Sequence, residues 1–199
     1  IGTCDPNPAV AGCGVRALHA AGIEVTLGVL PRECTDLNEE YLVSRARSRP
    51  HITLKSATDL FGRTSTRTGQ SKWISSEASR AHAHTVRSTV QAIAVGSGTA
   101  LDDDPRLTAR GEGQRSPIRV LFDSRLRVPP DAQLFADDGV TVIVYTTQPA
   151  LDRPATAVPA PRALVVPCGP GPQVDLALAM KDLAQREVVS LLVEGGATL

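Results

Sequence analysis

Apolar and polar residues follow one another in a pattern that predicts alternating helices and strands. Residues 14–22 carry apolar side chains at helical spacing and end at a glycine, which predicts a short helix. Residues 23–29 alternate apolar and polar side chains as a strand does, and Pro31 suits the first turn of a following helix. The basic run at 45–49 ends at Pro50, which disfavours helix in the residue before it. We therefore predict a domain boundary at this point.

Beyond this boundary, short apolar runs alternate with helical segments. The predicted strands are 51–56, 92–95, 119–123, 140–145, 163–166 and 188–193. The predicted helices are 75–87 and 174–186, and 147–161 is predicted as loop. Continuous apolar strands separated by helices indicate an α/β fold with a mostly parallel sheet covered on both faces. Binding sites in such sheets lie at the carboxyl ends of the strands.

The composition argues against two classes of partner. Lysine plus arginine and aspartate plus glutamate both number 21 in 199 residues, and aromatic residues make up 3%. A nucleic-acid-binding protein normally has a basic surplus and aromatic stacking platforms, so no nucleic-acid partner is expected. No apolar run approaches the roughly 18 residues of a spanning helix, so no membrane partner is expected either.

The cysteines and the chain ends bear on location and completeness. The four cysteines are Cys4, Cys13, Cys34 and Cys168. None forms a C-x-x-C pair, which argues against a zinc ribbon or a redox motif and favours free thiols in the cytoplasm. The chain begins at Ile1 and stops at Leu199, just after a predicted strand. We expect from these ends a piece of a longer protein.

Two glycine turns follow predicted strands and are candidates for phosphate binding. They are Gly96-Ser97-Gly98-Thr99 and Glu194-Gly195-Gly196. The first has Leu101 where a dinucleotide fingerprint has its third glycine, which disfavours a classical Rossmann site. Backbone N–H groups in either turn are able to approach a phosphate, while a plain strand–helix turn fits the residues equally well.

The densest polar cluster is Asp102–Asp104 with two arginines after it. Consecutive acidic residues point in different directions, so turn or capping roles are expected for at least two of them rather than a magnesium site. Arg106 and Arg110 suit an anionic ligand, because a guanidinium meets two phosphate oxygens at once, and a solvated position also fits Arg106. His82 and His84 face different sides of the predicted helix and are expected to be ordinary helix residues.

Taken in order, these segments resemble the bifunctional riboflavin-biosynthesis deaminase/reductases. The tail of the deaminase half is represented by Asp5-Pro6-Asn7-Pro8, Gly12-Cys13-Gly14 and residues 20–25. The reductase half is represented by Thr53-Leu54-Lys55, residues 69–75, Gly96-Ser97-Gly98-Thr99, residues 103–108, Phe122-Asp123-Ser124 and Val193-Glu194-Gly195-Gly196. Each motif is weak alone, but their joint order is specific and covers nearly the whole chain.

The resemblance implies a dihydrofolate reductase-like α/β fold for the reductase half. It assigns residues 1–48 to the C-terminal remnant of a cytidine deaminase-like domain and residues 49–199 to a reductase domain truncated at its C-terminus. The zinc motifs of that family's deaminase half, a His-x-Glu and a Pro-Cys-x-x-Gly run, lie upstream of the Asp-Pro-Asn-Pro segment and are absent here. Zinc is therefore expected only in the deaminase part of a parent protein, and this chain is expected to hold no metal.

The implied activity is an NADPH-dependent reduction in riboflavin biosynthesis. The substrate, 5-amino-6-(5-phosphoribosylamino)uracil, opens to an imine, and NADPH delivers hydride to the former anomeric carbon. The protein's task is then to position the reactants and exclude water. The alternatives are a non-catalytic nucleotide-binding module and a dihydrofolate reductase-type enzyme with another substrate. The implied partners are a small-molecule substrate and further copies of the chain in a homo-oligomer.

The same resemblance assigns the site residues. The implied substrate contacts are Ser71, Arg87, Leu107, Arg110 and Glu194. The implied NADPH contacts are Ala57, Trp73, Thr99, Asp103, Ser124, Gly196, Ala197 and Thr198. Lys55, at the end of the first strand, is the candidate for a direct chemical role. One motif departs from the family, because Asp59-Leu60-Phe61-Gly62 replaces a usual Ser-Leu-Asp-Gly, and altered packing beside the nicotinamide is expected.

Overall fold

The computed structural model describes residues 1–69, 74–110, 115–153 and 163–195. The chain divides into two units. The N-terminal unit comprises Ile1–His51 and Met180–Ser190, and the sheet unit comprises Ile52–Ala179 and Leu191–Leu199. In the described part of the chain, no helix has the length and apolar character that crossing a membrane requires.

The N-terminal unit begins with three helices, α1 (Cys13–Ala20), α2 (Pro31–Leu37) and α3 (Glu39–Arg47). The predicted short helix and the place of Pro31 in a first helical turn are confirmed. The sequence predicts that the helix begun at Pro31 continues through Leu37 and Tyr41 into the basic run. This is wrong, because the helix breaks at Asn38, whose side-chain amide donates to the Cys34 carbonyl at 2.8 Å.

The strand predicted at residues 23–29 is also wrong. This segment is irregular, and Ile23, Leu27 and Val29 are each about half exposed. Its backbone contacts are with the chain start, where Gly28 N–H donates to the Ile1 carbonyl at 2.9 Å. An alternating pattern forms a strand only when a neighbouring strand pairs with it, and in the described chain this segment belongs to no sheet.

The described residues form six strands: β1 (His51–Leu54), β2 (Ala92–Gly96), β3 (Ile118–Phe122), β4 (Val142–Thr146), β5 (Ala163–Pro167) and β6 (Ser190–Val193). They form one sheet in the order β1-β6-β2-β3-β4-β5. The pairs β2–β3, β2–β6, β3–β4 and β4–β5 are parallel. The predicted α/β fold with a mostly parallel sheet is therefore confirmed.

The apolar runs bury themselves in the middle of this sheet, as their sequence predicts. Ile93, Val95, Leu121 and Val144 are at most 1% exposed and belong to one continuous core cluster. Full burial of such side chains contributes about 1.5–3 kcal/mol each to folding. The core therefore fixes the central strands, and with them the loops that leave their carboxyl ends.

The remaining helices are α4 (Glu77–Thr89), α5 (Ser97–Asp103), α6 (Gln148–Leu151) and α7 (Leu176–Gln185). The predicted cap of α4 is confirmed, since the Ser76 hydroxyl accepts from the Ser79 N–H at 3.2 Å. Helix α5 follows β2 directly, so the turn at Gly96 is a strand–helix turn. Helix α6 lies in a stretch predicted as loop, and Pro149 occupies its first turn, where a missing N–H costs nothing.

A buried charge lies within the apolar run of β3. Arg119 is 0% exposed, and its guanidinium donates to the Leu134 carbonyl at 3.1 Å and to the Asp138 carboxylate at 2.5 Å. Arg106 lies 3.6 Å from the same carboxylate. Partial burial raises the pKa of Asp138, but the hydrogen bond and charge of Arg119 outweigh it and leave that pKa below its ordinary value.

This lowered pKa predicts a pH dependence of stability. A carboxyl whose pKa is lower in the folded state stabilises the fold above its unfolded pKa, and the contribution is lost as pH falls through the folded pKa. We expect the stability difference between wild type and Asp138→Asn to be largest near neutral pH and to shrink between about pH 5 and pH 2. Urea unfolding midpoints of the two proteins across this range measure it. A difference that stays constant with pH would show that the carboxylate charge is not what stabilises the fold.

Candidate active site at the carboxyl edge of the sheet

Polar residues follow the carboxyl ends of several strands at one edge of the sheet. Lys55 follows β1, Glu194 follows β6, Ser97 follows β2 and Ser124 lies two residues beyond β3. The Lys55 N–H donates to the Val193 carbonyl at 3.0 Å, which holds the start of the first loop against β6. Because the strands are parallel, these residues share the carboxyl edge, as expected for a binding site in this fold.

Glu194 is the centre of a charged cluster. Its carboxylate accepts two hydrogen bonds from Arg87, from Nε and Nη2, each at 2.8 Å. The Lys55 Nζ lies 3.7 Å from the same carboxylate. The side chains of Glu194 and Arg87 are only 10% and 16% exposed. The cluster therefore joins the predicted catalytic residue to two of the predicted substrate contacts.

The environment keeps Glu194 ionised. Burial alone raises the pKa of this carboxyl, but the hydrogen bonds and charge of Arg87 and the nearby Lys55 ammonium together lower it below its ordinary value. Glu194 is thus a hydrogen-bond acceptor at neutral pH and is unsuited to the role of proton donor. Because Arg87 uses two donors on Glu194, its first effect is to hold that carboxylate in place.

Helix α4, which carries Arg87, also fixes the segment that follows α5. Arg87 Nη1 donates to the Thr108 carbonyl at 3.2 Å, and His84 Nδ1 lies 3.2 Å from the same oxygen. Burial and the charge of Arg87 lower the pKa of His84, which favours the neutral ring. His84 therefore acts as a clamp on the loop that carries Arg110.

Leu107 has an unusual backbone in this loop. Its φ is 53°, and its side chain is 2% exposed within the core cluster. Asp104 also has a positive φ, of 42°, and its carboxylate accepts from the Gln133 N–H at 2.8 Å. The turn role expected for the acidic run thus holds for Asp104. Positive φ at such residues is uncommon and requires the support of surrounding structure.

A cavity of about 350 Å³ opens beside the charged cluster. We call it the Lys55 cavity. Its polar lining comprises Thr53, Lys55, Ser56, Ser79, His82 and Glu194. Its apolar lining includes Val86 and Leu192. His82, expected to be an ordinary helix residue, therefore faces the same space as the predicted catalytic lysine.

A second cavity, of about 440 Å³, lies at the carboxyl ends of β3, β4 and β5. We call it the Arg125 cavity. Its lining consists of Ser124, Arg125, Thr147, Pro149, Arg153, Pro170, Gly171 and Pro172. Ser124 ties its walls together, because its carbonyl accepts from the Thr147 hydroxyl at 2.9 Å and its hydroxyl accepts from the Val174 N–H at 3.0 Å.

The other predicted site residues are dispersed along the edge or lie elsewhere. Ala57 is half-buried after β1, and Thr99 is half-buried on α5. Asp103 and Arg110 are exposed, at the end of α5 and beyond the Thr108 clamp. Five predictions lie outside the described residues: Ser71, Trp73, Gly196, Ala197 and Thr198.

The segment Asp59 to Gly62, which departs from the family motif, forms a small turn. The Asp59 carboxylate accepts from the Phe61 N–H at 2.8 Å and from Arg63 Nε at 2.7 Å. The Phe61 ring is 81% exposed, and the Arg63 guanidinium lies 4.9 Å from its centroid. Phe61 thus meets a neighbouring arginine and solvent.

Metal-ligand geometry does not occur among the described residues. No group of three or more His, Cys, Asp or Glu side chains there is placed to hold an ion. All four cysteines are free thiols.

Sequence reasoning did not identify several residues of this edge. Arg125, Thr147 and Arg153 line the Arg125 cavity but belong to three different loops. Thr147 directly follows β4, so the rule that placed Ser124 at the site would also have found it. The clamp by His84 depends on a contact 24 residues away, which the spacing of the helix does not reveal.

The six-stranded sheet with its parallel strand pairs is an α/β fold of the dihydrofolate reductase-like type, the fold of the structural neighbours. The chain belongs to the RibD C-terminal domain family, whose sequence model matches residues 50–199. The family resemblance inferred from the motifs is therefore confirmed.

Relatives of known name agree. The chain is 36% identical over 197 residues to the riboflavin biosynthesis protein RibD of Aquifex aeolicus and 37% identical over 196 residues to that of Bacillus amyloliquefaciens. Each alignment covers 98% of this chain but 54% and 53% of the relatives, so the chain spans about half their length.

Solved structures show the same fold. A diaminohydroxyphosphoribosylaminopyrimidine deaminase/5-amino-6-(5-phosphoribosylamino)uracil reductase of Thermotoga maritima matches with a TM-score of 0.82 at 33% identity, over 98% of this chain and 52% of that one. RibD of Acinetobacter baumannii matches with a TM-score of 0.79 at 32% identity, over 98% and 53%. A riboflavin biosynthesis reductase of Saccharomyces cerevisiae, at 22% identity and a TM-score of 0.59 over 83% and 73%, shows the fold alone.

Proposed function

We propose that the protein reduces 5-amino-6-(5-phosphoribosylamino)uracil to its ribitylamino form with NADPH, as a step of riboflavin biosynthesis. The observation that carries this proposal is the Lys55–Glu194–Arg87 cluster beside a cavity at the carboxyl edge of a reductase fold. One relative is named a riboflavin biosynthesis protein, and one structural neighbour is named a diaminohydroxyphosphoribosylaminopyrimidine deaminase/5-amino-6-(5-phosphoribosylamino)uracil reductase. We assign residues 1–48 to the end of a deaminase domain and residues 49–199 to the reductase domain.

The residues present suit a phosphorylated dinucleotide. The Arg125 cavity offers two guanidinium groups, two hydroxyl-bearing side chains and three proline rings along one edge. When bound, NADPH would supply the hydride for the reduction. Thr99 and Asp103 on α5, and Ser124 in the lining of the Arg125 cavity, would hold it.

The chain's own groups then orient the substrate and stabilise its charge. The Glu194 carboxylate accepts hydrogen bonds from the polar ring or ribityl groups, and Lys55 lies within reach of the reacting end. The imine gains hydride at carbon and a proton at nitrogen, and Lys55, which lines the cavity, would donate that proton. The main task of such a site is the positioning of the two reactants.

We further propose a cytoplasmic homo-oligomer. The charge balance of the chain argues only against polyanionic partners. Sedimentation of the full-length protein measures the assembly state directly, and a monomer at all concentrations would reject it.

Substitution of Arg110 tests the proposed contact between this residue and the phosphate of the substrate. It leaves the clamped loop with an exposed guanidinium, which suits a phosphate monoester of about −1.5 to −2 charge. Arg110→Ala is expected to weaken binding of the phosphorylated substrate by about one to two decades and to leave NADPH binding nearly unchanged. Calorimetric titration of each ligand measures this. Arg110→Lys is expected to recover only part of the loss, because it restores charge without the planar fork.

The outcome that contradicts the assignment is an equal loss of NADPH and substrate binding. Arg32, an exposed arginine of the N-terminal unit, provides the matched control. Arg32→Ala is expected to leave both affinities unchanged. Turnover with a pterin in place of the aminopyrimidine would instead favour a dihydrofolate reductase-type activity.

A further inference from the structure

We propose that His84 is a positioning residue for the substrate, because it holds the Thr108 carbonyl and thereby directs Arg110 toward the substrate's phosphate. This inference rests on the proposed function and on the assignment of Arg110 to that phosphate. It adds to the site a residue of α4 that acts through another residue. It also predicts a loss of affinity that depends on the phosphate.

Two donors of α4 meet at the Thr108 carbonyl. His84 Nδ1 lies 3.2 Å from this oxygen, and Arg87 Nη1 donates to it at 3.2 Å. A carbonyl oxygen only accepts hydrogen bonds and has two lone pairs, so it accommodates both groups when His84 carries its proton on Nδ1. His84 and Arg87 are three residues apart on the helix, so they reach the loop from the same face of α4.

The loop that receives these contacts has a strained backbone. Leu107, directly before Thr108, has a φ of 53°, and its side chain is 2% exposed in the core cluster. Asp104 has a φ of 42°. Residues in such conformations persist where surrounding contacts determine the backbone. The Thr108 carbonyl is the anchor that precedes the exposed Arg110 by two residues, so its orientation sets the direction in which the chain presents that guanidinium.

The charge of Arg110 is close enough to act on the His84 ring. Burial lowers the pKa of His84, and so do the charges of Arg87 and Arg110. These effects outweigh the hydrogen bond to Thr108, which raises that pKa. Two neighbouring guanidinium groups disfavour a third positive charge, so the neutral ring is the form that supports the loop.

The other donors of Arg87 connect this clamp to the charged cluster. Its Nε and Nη2 each donate to the Glu194 carboxylate at 2.8 Å, while Nη1 donates to Thr108. One guanidinium therefore joins the carboxylate assigned to the ring or ribityl groups to the loop assigned to the phosphate. Because Arg87 serves both ends, its substitution would disturb both. His84 contacts the loop alone among the hydrogen bonds of the described chain, so its substitution isolates the phosphate end.

The test compares two ligands that differ only in the phosphate. Calorimetry with 5-amino-6-(5-phosphoribosylamino)uracil and with its dephosphorylated form is performed on wild type, His84→Leu and His84→Asn. We expect His84→Leu to weaken the phosphorylated ligand about 3- to 10-fold and to leave the affinity for the dephosphorylated ligand unchanged. His84→Asn is expected to restore wild-type affinity, because its amide nitrogen is as many bonds from the backbone as Nδ1. His84→Ala removes the same donor without adding an apolar branch and is expected to behave like His84→Leu.

A double variant tests whether His84 acts through Arg110. If it does, His84→Leu with Arg110→Ala binds the phosphorylated ligand no more weakly than Arg110→Ala alone, because the positioned group is already missing. His19, an exposed histidine of α1, provides the matched control, and His19→Leu is expected to bind both ligands as wild type does. In steady-state assays His84→Leu is expected to raise KM and to keep kcat within about twofold of wild type.

Three results would overturn the role of His84. They are an equal weakening of both ligands in His84→Leu and His84→Ala, an unchanged affinity for the phosphorylated ligand in these variants, and losses that add in the double variant. If wild type reduces the substrate and Arg110→Ala loses phosphate-dependent affinity while His84→Leu does not, only this inference fails. If wild type neither binds nor reduces the substrate, the proposed function fails with it.

Discussion

Replacing Glu194 by glutamine is expected to lower turnover of the phosphorylated aminopyrimidine by at least about 100-fold, or about 2.7 kcal/mol at 1.36 kcal/mol per decade. The substitution keeps the size of the side chain but removes its charge. Arg87, only 16% exposed, then loses the carboxylate to which it donates twice, and Lys55 loses its counter-ion. Removing one partner of a largely buried charge pair costs about 2–5 kcal/mol. Steady-state NADPH oxidation measures the effect.

Glu24→Gln is the matched control, because Glu24 is an exposed glutamate in the irregular segment of the N-terminal unit. Its turnover is expected to equal that of wild type. The unfolding midpoint of Glu194→Gln separates a loss of chemistry from a loss of fold. A folded Glu194→Gln protein with turnover within about threefold of wild type would show that the cluster is not the reaction site.

The second large effect concerns stability. Asp138→Ala is expected to lower the free energy of unfolding by about 3–5 kcal/mol, because it leaves the Arg119 guanidinium, 0% exposed, without its carboxylate. The double variant Arg119→Met with Asp138→Ala is expected to recover much of this loss, since it removes the buried charge together with its partner. Denaturant unfolding of the three proteins measures both values.

Asp131→Ala serves as the control, because Asp131 is an exposed aspartate close in sequence to Asp138. It is expected to change the free energy of unfolding by less than about 0.5 kcal/mol. A single variant Asp138→Ala as stable as wild type would show that the Leu134 and Ala136 carbonyls alone satisfy Arg119.

The sequence predicts those parts of the fold that local patterns determine. The apolar runs at 92–95 and 140–145 coincide with strands because a buried parallel strand needs apolar residues on both faces. Ser76 starts a helix because its hydroxyl satisfies a backbone N–H that the helix leaves unpaired. In both cases the cause lies within a few residues of the effect.

Local sequence patterns do not predict the structure correctly where a residue far away in the sequence determines it. Residues 23–29 have the alternation of a strand, but a strand exists only where another one pairs with it. Arg119 interrupts an apolar run without breaking the strand, because Asp138 and two carbonyls satisfy its charge from another part of the chain. Neither outcome is visible in the spacing of the residues themselves.

The candidate site likewise has features that the sequence predicts and features that depend on contacts between distant residues. Arg87, on α4, and Glu194, after β6, are 107 residues apart, and only the folded chain brings their side chains to 2.8 Å. The motif resemblance placed both in the site, but not the ion pair between them. The Arg125 cavity is built by loops after three strands, so its lining could be identified only once the order of those strands was known.

The central claim is that this edge of the sheet transfers a hydride from NADPH to the former anomeric carbon of a ribosylaminopyrimidine phosphate. The most direct measurement uses NADPH deuterated at the transferring position of the nicotinamide, with mass analysis of the product. The account predicts a ribitylamino product that carries one deuterium on that carbon, in step with the oxidation of NADPH. A product without the label, or no oxidation of NADPH in the presence of this substrate, would contradict the account.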